Sequence, residues 1–523
     1  MIPTPPWLHD AMVTYFDWTS TPVFVYFLMI NSSYLMLIVL AAIQFVRDTR
    51  RHGLIAHEDL IASPLTGSVS VVVAAFNEEV VIVESVRAML SLRYPRHEVI
   101  VVDDGSTDGT FAQLAAAFDL VQVSRVVPDH LPSVQKATEV WVPLDGRTEL
   151  LVVRKANSGR SDSLNVGINL AGYPLVAIVD ADSILSPDAL LLVAQPFVDD
   201  PIRTVATGGV IRAVNGSTVI SGRVVDARMP STWVERVQVM EYLRAFLLGR
   251  TGWSSLDCLV LISGAFGLFR RDVVVEVGGL DPKCLGEDFE LVMRIHRHMR
   301  RAKRDYRVTF LAEPVLWTEV PPTHAVLGRQ RRRWHRGLWQ VLTAYRGMTF
   351  NPRYGRIGLV MVPYFWAFEL VAPVIELTGI VAVPLGILTG TVNMHYVWVF
   401  LLVAYAYAIL VSVAAVCVEE FTFHTYHRWR DLGLLLVSAV VENLWFRQLT
   451  AWWRVRGLVR AMRGGAYEWG AMTRTGFGAA AGPVLPPVLP PVPAPRRPSS
   501  VVSSQESSSE VQPAAGAGPT EAP

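Results

Sequence analysis

The sequence predicts an α/β domain, built on a mostly parallel, doubly wound sheet, inserted between transmembrane helices. Two observations carry this reading. Half of the 523 residues are hydrophobic (51%) and the mean hydropathy is +0.34, and the excess sits in a few charge-free blocks instead of being spread evenly. Between those blocks, short Val- and Ile-rich runs alternate with stretches of helical periodicity, the pattern of strand–helix–strand units.

The elements follow in order. Residues 1–21 form an N-terminal segment. Residues 22–46 run for 25 positions without a charge, long enough to cross a bilayer with some tilt. The segment before them carries Asp10 and Asp17 and no Lys or Arg, so an uncleaved anchor fits better than a signal peptide. Arg47, Arg50 and Arg51 follow at once. By the positive-inside rule they place the next domain in the cytoplasm, which makes this a multi-pass protein of the cell membrane. The domain covers residues 68–323. Its apolar runs Ser70–Ala74, Val99–Val102, Leu150–Val153 and Leu175–Val179 each end in a polar, Gly- or Asp-containing turn. Val80–Leu92 and Thr110–Phe118 have helical spacing between them, and ligands of such sheets bind beyond the carboxyl ends of the strands.

Residues 324–350 read as an amphipathic interface helix, with Trp334, Trp339, Leu327 and Val341 among arginines. Apolar blocks at Ile357–Leu388, Val397–Val418 and Leu432–Phe446 make 357–453 a transmembrane or re-entrant region. Three spans there would leave Arg454, Arg456, Arg460 and Arg463 outside, against the positive-inside rule. Either the last block, which contains Glu442 and Asn443, is re-entrant, or the Pro-bearing first block is not a simple span. Residues 482–523, rich in Pro, Ala and Ser, read as a disordered tail.

A net charge of +1 offers no basic patch for nucleic acid. Three widely separated cysteines (Cys258, Cys284 and Cys417) suggest neither a disulfide framework nor a zinc site.

Four clusters carry chemistry. Ala75-Phe-Asn-Glu-Glu79 and Val102-Asp-Asp-Gly-Ser-Thr-Asp108 follow successive strands. The second is a good turn and N-cap sequence, and its other reading has Asp103 and Asp104 accept hydrogen bonds from a nucleotide base or ribose. Asn157-Ser-Gly-Arg160 precedes Ile178-Val-Asp-Ala-Asp-Ser183. Carboxylates one residue apart at the end of a buried strand are costly without a cation. Mg²⁺ or Mn²⁺, which prefers oxygen ligands and phosphates, is the natural partner of Asp180 and Asp182. Arg160 adds charge-assisted bonds to a diphosphate. Gly286-Glu-Asp-Phe289 follows the Gly-rich Leu261–Gly267. It reads as an acidic helix start or as a general base. Gln330-Arg-Arg-Arg-Trp334 lies on the amphipathic segment. His296 and His298, two apart on a helix, do not share a face and read as a solvated basic surface. Glu419 and Glu420 mark the end of an apolar span.

In this order, with membrane anchors on both sides, these motifs resemble the processive, inverting glycosyltransferases of the GT-A fold (family 2), the group of cellulose, chitin, hyaluronan and poly-N-acetylglucosamine synthases. The resemblance covers roughly Ser68 to Trp334. It implies that Asp103, Asp104 and Glu78 bind the uridine end of a donor. It implies further that Asp180 and Asp182 serve diphosphate and metal, that Asp288 is the base, and that Gln330, Arg333 and Trp334 lie near acceptor and diphosphate. Two departures stand out: Gly286-Glu-Asp replaces the usual Thr-Glu-Asp, and Arg160 replaces a Lys, keeping charge but changing shape.

The function so implied is transfer from a UDP-sugar onto a growing β-linked carbohydrate at the cytoplasmic membrane face. Membrane lipid and an accessory export subunit are its further partners. The likeness of Ile262–Arg271 to poly-N-acetylglucosamine synthases points to UDP-N-acetylglucosamine. The rivals are transfer of one sugar to a lipid, and a nucleotide-binding transport or sensory protein, which needs no base.

Overall fold

The computed structural model describes residues 5–52, 60–61 and 63–464, which fall in one compact unit. The tail expected at 482–523 lies outside the described residues.

Helix α1 (Pro6–His52) comes first, and the sheet domain follows. Its first half runs β1 (Val69–Ala75), α2 (Ile82–Leu90), β2 (His97–Asp103), α3 (Thr110–Phe118), β3 (Leu120–Val123), β4 (Ala137–Pro143), β5 (Leu150–Lys155), α4 (Arg160–Leu170) and β6 (Leu175–Asp180). The second half adds β7 (Ser183–Leu185), α5 (Ala189–Asp199), β8 (Thr204–Ala213) and the hairpin β9–β10 (Thr218–Ile220, Arg223–Asp226). Then come α6 (Trp233–Tyr242), which runs on through a π-helical stretch Leu243–Arg250, β11 (Phe266–Arg270), α7 (Arg271–Glu276), α8 (Glu287–Arg301), β12 (Arg307–Thr318) and α9 (His324–Ala344). Three long apolar helices complete the described chain: α10 (Ile357–Thr389), α11 (Met394–Thr422) and α12 (Trp429–Met462).

Ten strands form one sheet in the order β3-β4-β5-β2-β1-β6-β11-β8-β12-β7. β5, β2, β1 and β6 are parallel, as are β8 and β12, whereas β11 runs antiparallel to both its neighbours. β3, β4 and β7 pair antiparallel at the edges. The runs read as strands from the sequence fall within β1, β2, β5 and β6, whose Val- and Ile-rich residues are buried, as a sheet covered on both faces demands. β8 is also buried throughout, but Thr204, Thr207, Gly208 and Gly209 hide its apolar pattern. β12 carries a bulge at Pro314, where a ladder donor is missing.

Register decides where the chemistry falls. Ala75 pairs with Asp103, Ala74 with Asp180, and Asp103 with Arg154, so the carboxyl ends of β1, β2, β5 and β6 come level. The side chains expected to bind a donor leave the sheet at that edge.

The domain and the membrane helices share a core. One hydrophobic cluster joins Val72, Val101 and Val179 of the sheet to Ile38, Ala41 and Phe45 of α1 and Val411, Ala415 and Val416 of α11. Glu419, expected to mark the end of a span, is buried and accepts a 2.6 Å bond from Arg212 of β8. One histidine expectation is corrected. His296 is not solvated but buried, its ring nitrogens bonded to Tyr306 Oη and the Leu259 carbonyl at 2.7 Å each. Burial lowers its pKa to about 4, so it is neutral there.

Gly167 of α4 sets the spacing of helix to sheet. A Cβ there would collide with Val72 Cγ1 and come within 3.3 Å of Val102 Cγ2. Gly167→Val is expected to destabilise the domain by about 1–3 kcal/mol, read as a lower detergent-phase melting temperature with expression maintained.

Candidate active site

The site is a belt of acidic groups along the strand edge, crossed by one arginine. After β1, the loop 76–79 is tied to the loop after β2: Thr107 N–H donates to Asn77 Oδ1 (2.8 Å), Gly109 N–H to Glu79 Oε2 (2.7 Å), and Glu78 N–H to Thr110 Oγ1 (2.8 Å). Glu78 is half-buried between these loops. Asp103 is buried, accepts from Ser106 N–H at 3.0 Å and lies 3.5 Å from Arg154 Nε.

Asp104 is held by three donors. Its Oδ1 accepts from Lys155 Nζ (2.6 Å) and Ser158 N–H (3.0 Å), and its Oδ2 from Gly159 N–H (2.8 Å). The carboxylate thereby shapes the Asn157–Gly159 loop. Gly159 has φ +97°, a backbone that only glycine adopts without strain.

That loop launches α4 and with it Arg160. Its Nε donates to Asp180 Oδ1 (2.8 Å), Nη1 to Glu287 Oε1 (2.8 Å) and Nη2 to the Gly264 carbonyl (2.6 Å). The guanidinium is thus a cross-tie between β6, the 261–267 segment and α8. Burial pulls its pKa down, but the carboxylates of Asp180 and Glu287 outweigh burial and hold it above the ordinary value.

Glu287 was not singled out from the sequence. It is 8% exposed, and burial raises its pKa, with Arg160 opposing and Asp288 adding to the rise. Its signal was its place beside Asp288, but only the fold brings Arg160 to it. Asp288 is half-buried. Its Oδ1 accepts from Phe289 N–H (2.8 Å) and its Oδ2 from Gly264 N–H (3.0 Å), at the first turn of α8 where backbone donors and the dipole favour a carboxylate.

Helix α9 packs against the turn before α8. A Cβ on Gly337 would lie 2.9 Å from Gly286 N, and Leu285 N–H donates to Gln340 Oε1 (3.1 Å), so α9 is pressed on the turn that carries Asp288. Gln330 is buried with its Oε1 unpartnered, Trp334 is 43% exposed, and Arg333 acts electrostatically on Glu287. The Gln-x-x-Arg-Trp residues therefore sit on the helix that backs the catalytic turn.

Asp182 is buried and Asp180 is about a third exposed. Among the described residues no cluster of three or more His, Cys, Asp or Glu side chains forms a closed cage. The donor set is oxygen only. It fits a hard cation that takes one or two carboxylates and completes its shell with substrate phosphates and water.

A parallel sheet with its acids at the carboxyl edge, a carboxylate at a helix start facing them, and apolar helices on both sides define a membrane-associated transferase of the GT-A type. Residues 66–337 match Glycosyltransferase like family 2, and the chain belongs to that family. It is 27% identical over 300 residues to the poly-beta-1,6-N-acetyl-D-glucosamine synthase of Staphylococcus aureus (strain COL), covering 57% of this chain and 60% of that protein. The chain thus spans about three-fifths of the length of that relative. The synthase of the same name from Staphylococcus epidermidis is 23% identical, with 72% of this chain and 80% of that protein covered. Among solved structures, a mannosyltransferase from Pyrobaculum calidifontis in complex with GDP-Man and Mn²⁺ is similar at TM-score 0.46 and 18% identity, over 81% of this chain and 99% of that one.

Two substitutions separate the acids of the catalytic turn. Asp288→Asn is expected to lower turnover by roughly 10²–10⁴-fold, the usual worth of a general base, with UDP affinity unchanged. Glu287→Gln removes the charge that Arg160 bridges, so it is expected to weaken UDP affinity and turnover together. UDP release and UDP binding, measured side by side, check both; near-normal release in Asp288→Asn would leave that residue a helix cap.

Proposed function

We propose that the protein is an inverting glycosyltransferase that extends a β-linked polysaccharide from a UDP-sugar at the cytoplasmic membrane face. The observation that carries this is Asp288, a carboxylate held by two backbone N–H groups and turned toward the strand edge where Asp103, Asp180 and Asp182 lie. A binding-only protein has no use for a base so placed.

Asp103 receives the base or ribose of the donor, while Asp182, with Asp180 beside it, faces the diphosphate. Asp182, with Asp180 beside it, would hold a Mg²⁺ or Mn²⁺, which would supply charge neutralisation to the leaving group. The acceptor hydroxyl attacks the anomeric carbon as its proton passes to Asp288. The bond from that carbon to the diphosphate oxygen breaks, and UDP leaves with inverted configuration at the sugar. Gln330, Arg333 and Trp334 present the acceptor end and the diphosphate to this turn. Arg160 fixes Asp180 and Glu287 so that neither competes with Asp288 for the proton.

The names of the Staphylococcus relatives support N-acetylglucosamine as the sugar and repeated transfer as the mode. The arginines after Val46 support a cytoplasmic domain, and the apolar helices support a multi-pass membrane protein. Membrane lipid and an export subunit complete the proposed surroundings.

Two measurements test this reading. Excess chelator, or Asp182→Asn, is expected to abolish UDP release, with Mg²⁺ or Mn²⁺ restoring the chelated enzyme; full turnover in chelator would end the metal's role. Incubation with a panel of UDP-sugars is expected to yield polymer from UDP-N-acetylglucosamine. A product one sugar longer than a lipid acceptor would instead establish single transfer.

A further inference from the structure

Among the described residues, four helices have the length and composition to cross a membrane: α1, α10, α11 and α12. Their contacts divide them into two kinds. At one end, α1, α10 and α11 meet the sheet domain. Phe45 lies in the same core as β1, Ile357 and Met361 pack with Phe289 and Met293, and Glu419 pairs with Arg212. At the other end they meet one another: Tyr396 Oη donates to the Ser20 carbonyl (2.6 Å), and Gly386 lies against Phe16. A helix that leaves the domain at one end and touches its fellow helices at the other is a crossing helix.

α12 meets α10 and α11 through Arg447 with Glu376 and Gln448 with Tyr405, but unlike them it also touches the domain or α9 at its start, middle and end. Near its start Asp431 pairs with Arg228 (3.1 Å), and Arg428, just before it, pairs with Asp226 (3.3 Å). At its middle Glu442 pairs with Arg244 of the π-helical stretch after α6 (2.7 Å). Farther on, Phe446 and Trp453 share a cluster with Val234, Val237 and Leu327. Near its end a Cβ on Gly457 would lie 2.6 Å from the Arg332 carbonyl of α9. Asp431 and Gly457 are about 39 Å apart at 1.5 Å per residue, more than the roughly 30 Å of hydrocarbon in a bilayer. Yet one end rests on the sheet domain and the other on α9, whose Gly337 packs on the Gly286 turn of that domain, and the domain's buried ion pairs and ten-stranded sheet do not enter lipid.

The other face of α12 has the composition of a membrane surface helix. Leu436, Val440, Leu444, Trp452 and Val459 are exposed at helical spacing, and Arg456 and Arg460 are exposed beside them. Seven charged residues lie between Trp429 and Met462, which a crossing helix carries only at high cost.

We infer that α12 does not cross the membrane but lies along the cytoplasmic leaflet, its polar face on the domain and its Leu, Val and Trp stripe in the headgroup–acyl boundary. The protein then crosses three times, with α1, α10 and α11. Arg463, just after α12, stays on the side of the domain, where Arg454, Arg456, Arg460 and Arg463 satisfy the positive-inside rule. The side so named rests on the cytoplasmic orientation proposed above.

Single cysteines in a background with Cys258, Cys284 and Cys417 changed to Ser test both points separately, in intact cells with a membrane-impermeant maleimide. The positions are Asp145→Cys in the domain, His395→Cys between α10 and α11, and Arg463→Cys after α12, each kept only where UDP release is retained. The expected result is labelling of His395→Cys alone, with the other two labelled only after permeabilisation. Labelling of Arg463→Cys with Asp145→Cys protected makes α12 a fourth crossing and overturns the inference while the orientation stands. Labelling of Asp145→Cys and Arg463→Cys together keeps α12 in plane and overturns the orientation instead. Labelling of Asp145→Cys with Arg463→Cys protected overturns both.

Discussion

The site depends on a buried ammonium. Lys155 ends β5 with its side chain fully enclosed, and its Nζ donates to Asp104 (2.6 Å) and the Ala156 carbonyl (3.0 Å), with Ser158 a further partner and Asp162 3.3 Å away. A lone charge in that place would be heavily penalised, and removal of one partner of such a pair typically costs roughly 3–5 kcal/mol. The penalty is offset only while β2, β5 and the start of α4 stay together. Asp104 also holds Ser158 and Gly159 by their backbone N–H groups, and Asp162 holds Val134 and Gln135. One buried cation therefore folds the loop that aims Arg160.

Everything nearer the chemistry inherits that geometry. Arg160 reaches three separate segments, and without it Asp180, Glu287 and Asp288 would repel one another at the strand edge. Glu287 spends its charge on Arg160, whereas Asp288 is hydrogen-bonded by backbone donors, with Arg160 and Arg250 acting on it electrostatically. Two neighbouring acids thus take different environments. This is the usual way a protein separates a structural carboxylate from one that can accept a proton.

The membrane helices are part of the same construction. The sheet core continues into the feet of α1 and α11, and the buried Arg212–Glu419 pair locks a central strand to α11. α9, which carries Gln330, Arg333 and Trp334, is held between the catalytic turn and α12: Gly337 meets Gly286 on one side and Gly328 meets Trp453 on the other. A disturbance of α12 is therefore transmitted through one helix to Asp288.

The sequence alone determined the fold class, the apolar helices on either side of the domain and the helix start that carries Asp288, because these rest on local signals. Continuous Val- and Ile-rich runs marked β1, β2, β5 and β6, the acids at their ends marked the strand edge, and Gly286-Glu-Asp marked a helix start. Only the tertiary structure decided what each charged group does. Asp103 and Asp104 are adjacent in the chain, but whether a carboxylate faces a ligand or Lys155 depends on a residue 51 positions away. Arg160 finds Glu287 across 127 positions, and no spacing rule reaches that far. The fate of α12 is of the same kind. Its length and apolarity are those of a crossing helix, and what holds it to the domain is a set of partners at Arg228, Arg244, Leu327 and Arg332, which become its neighbours only when the sheet, α6 and α9 have formed.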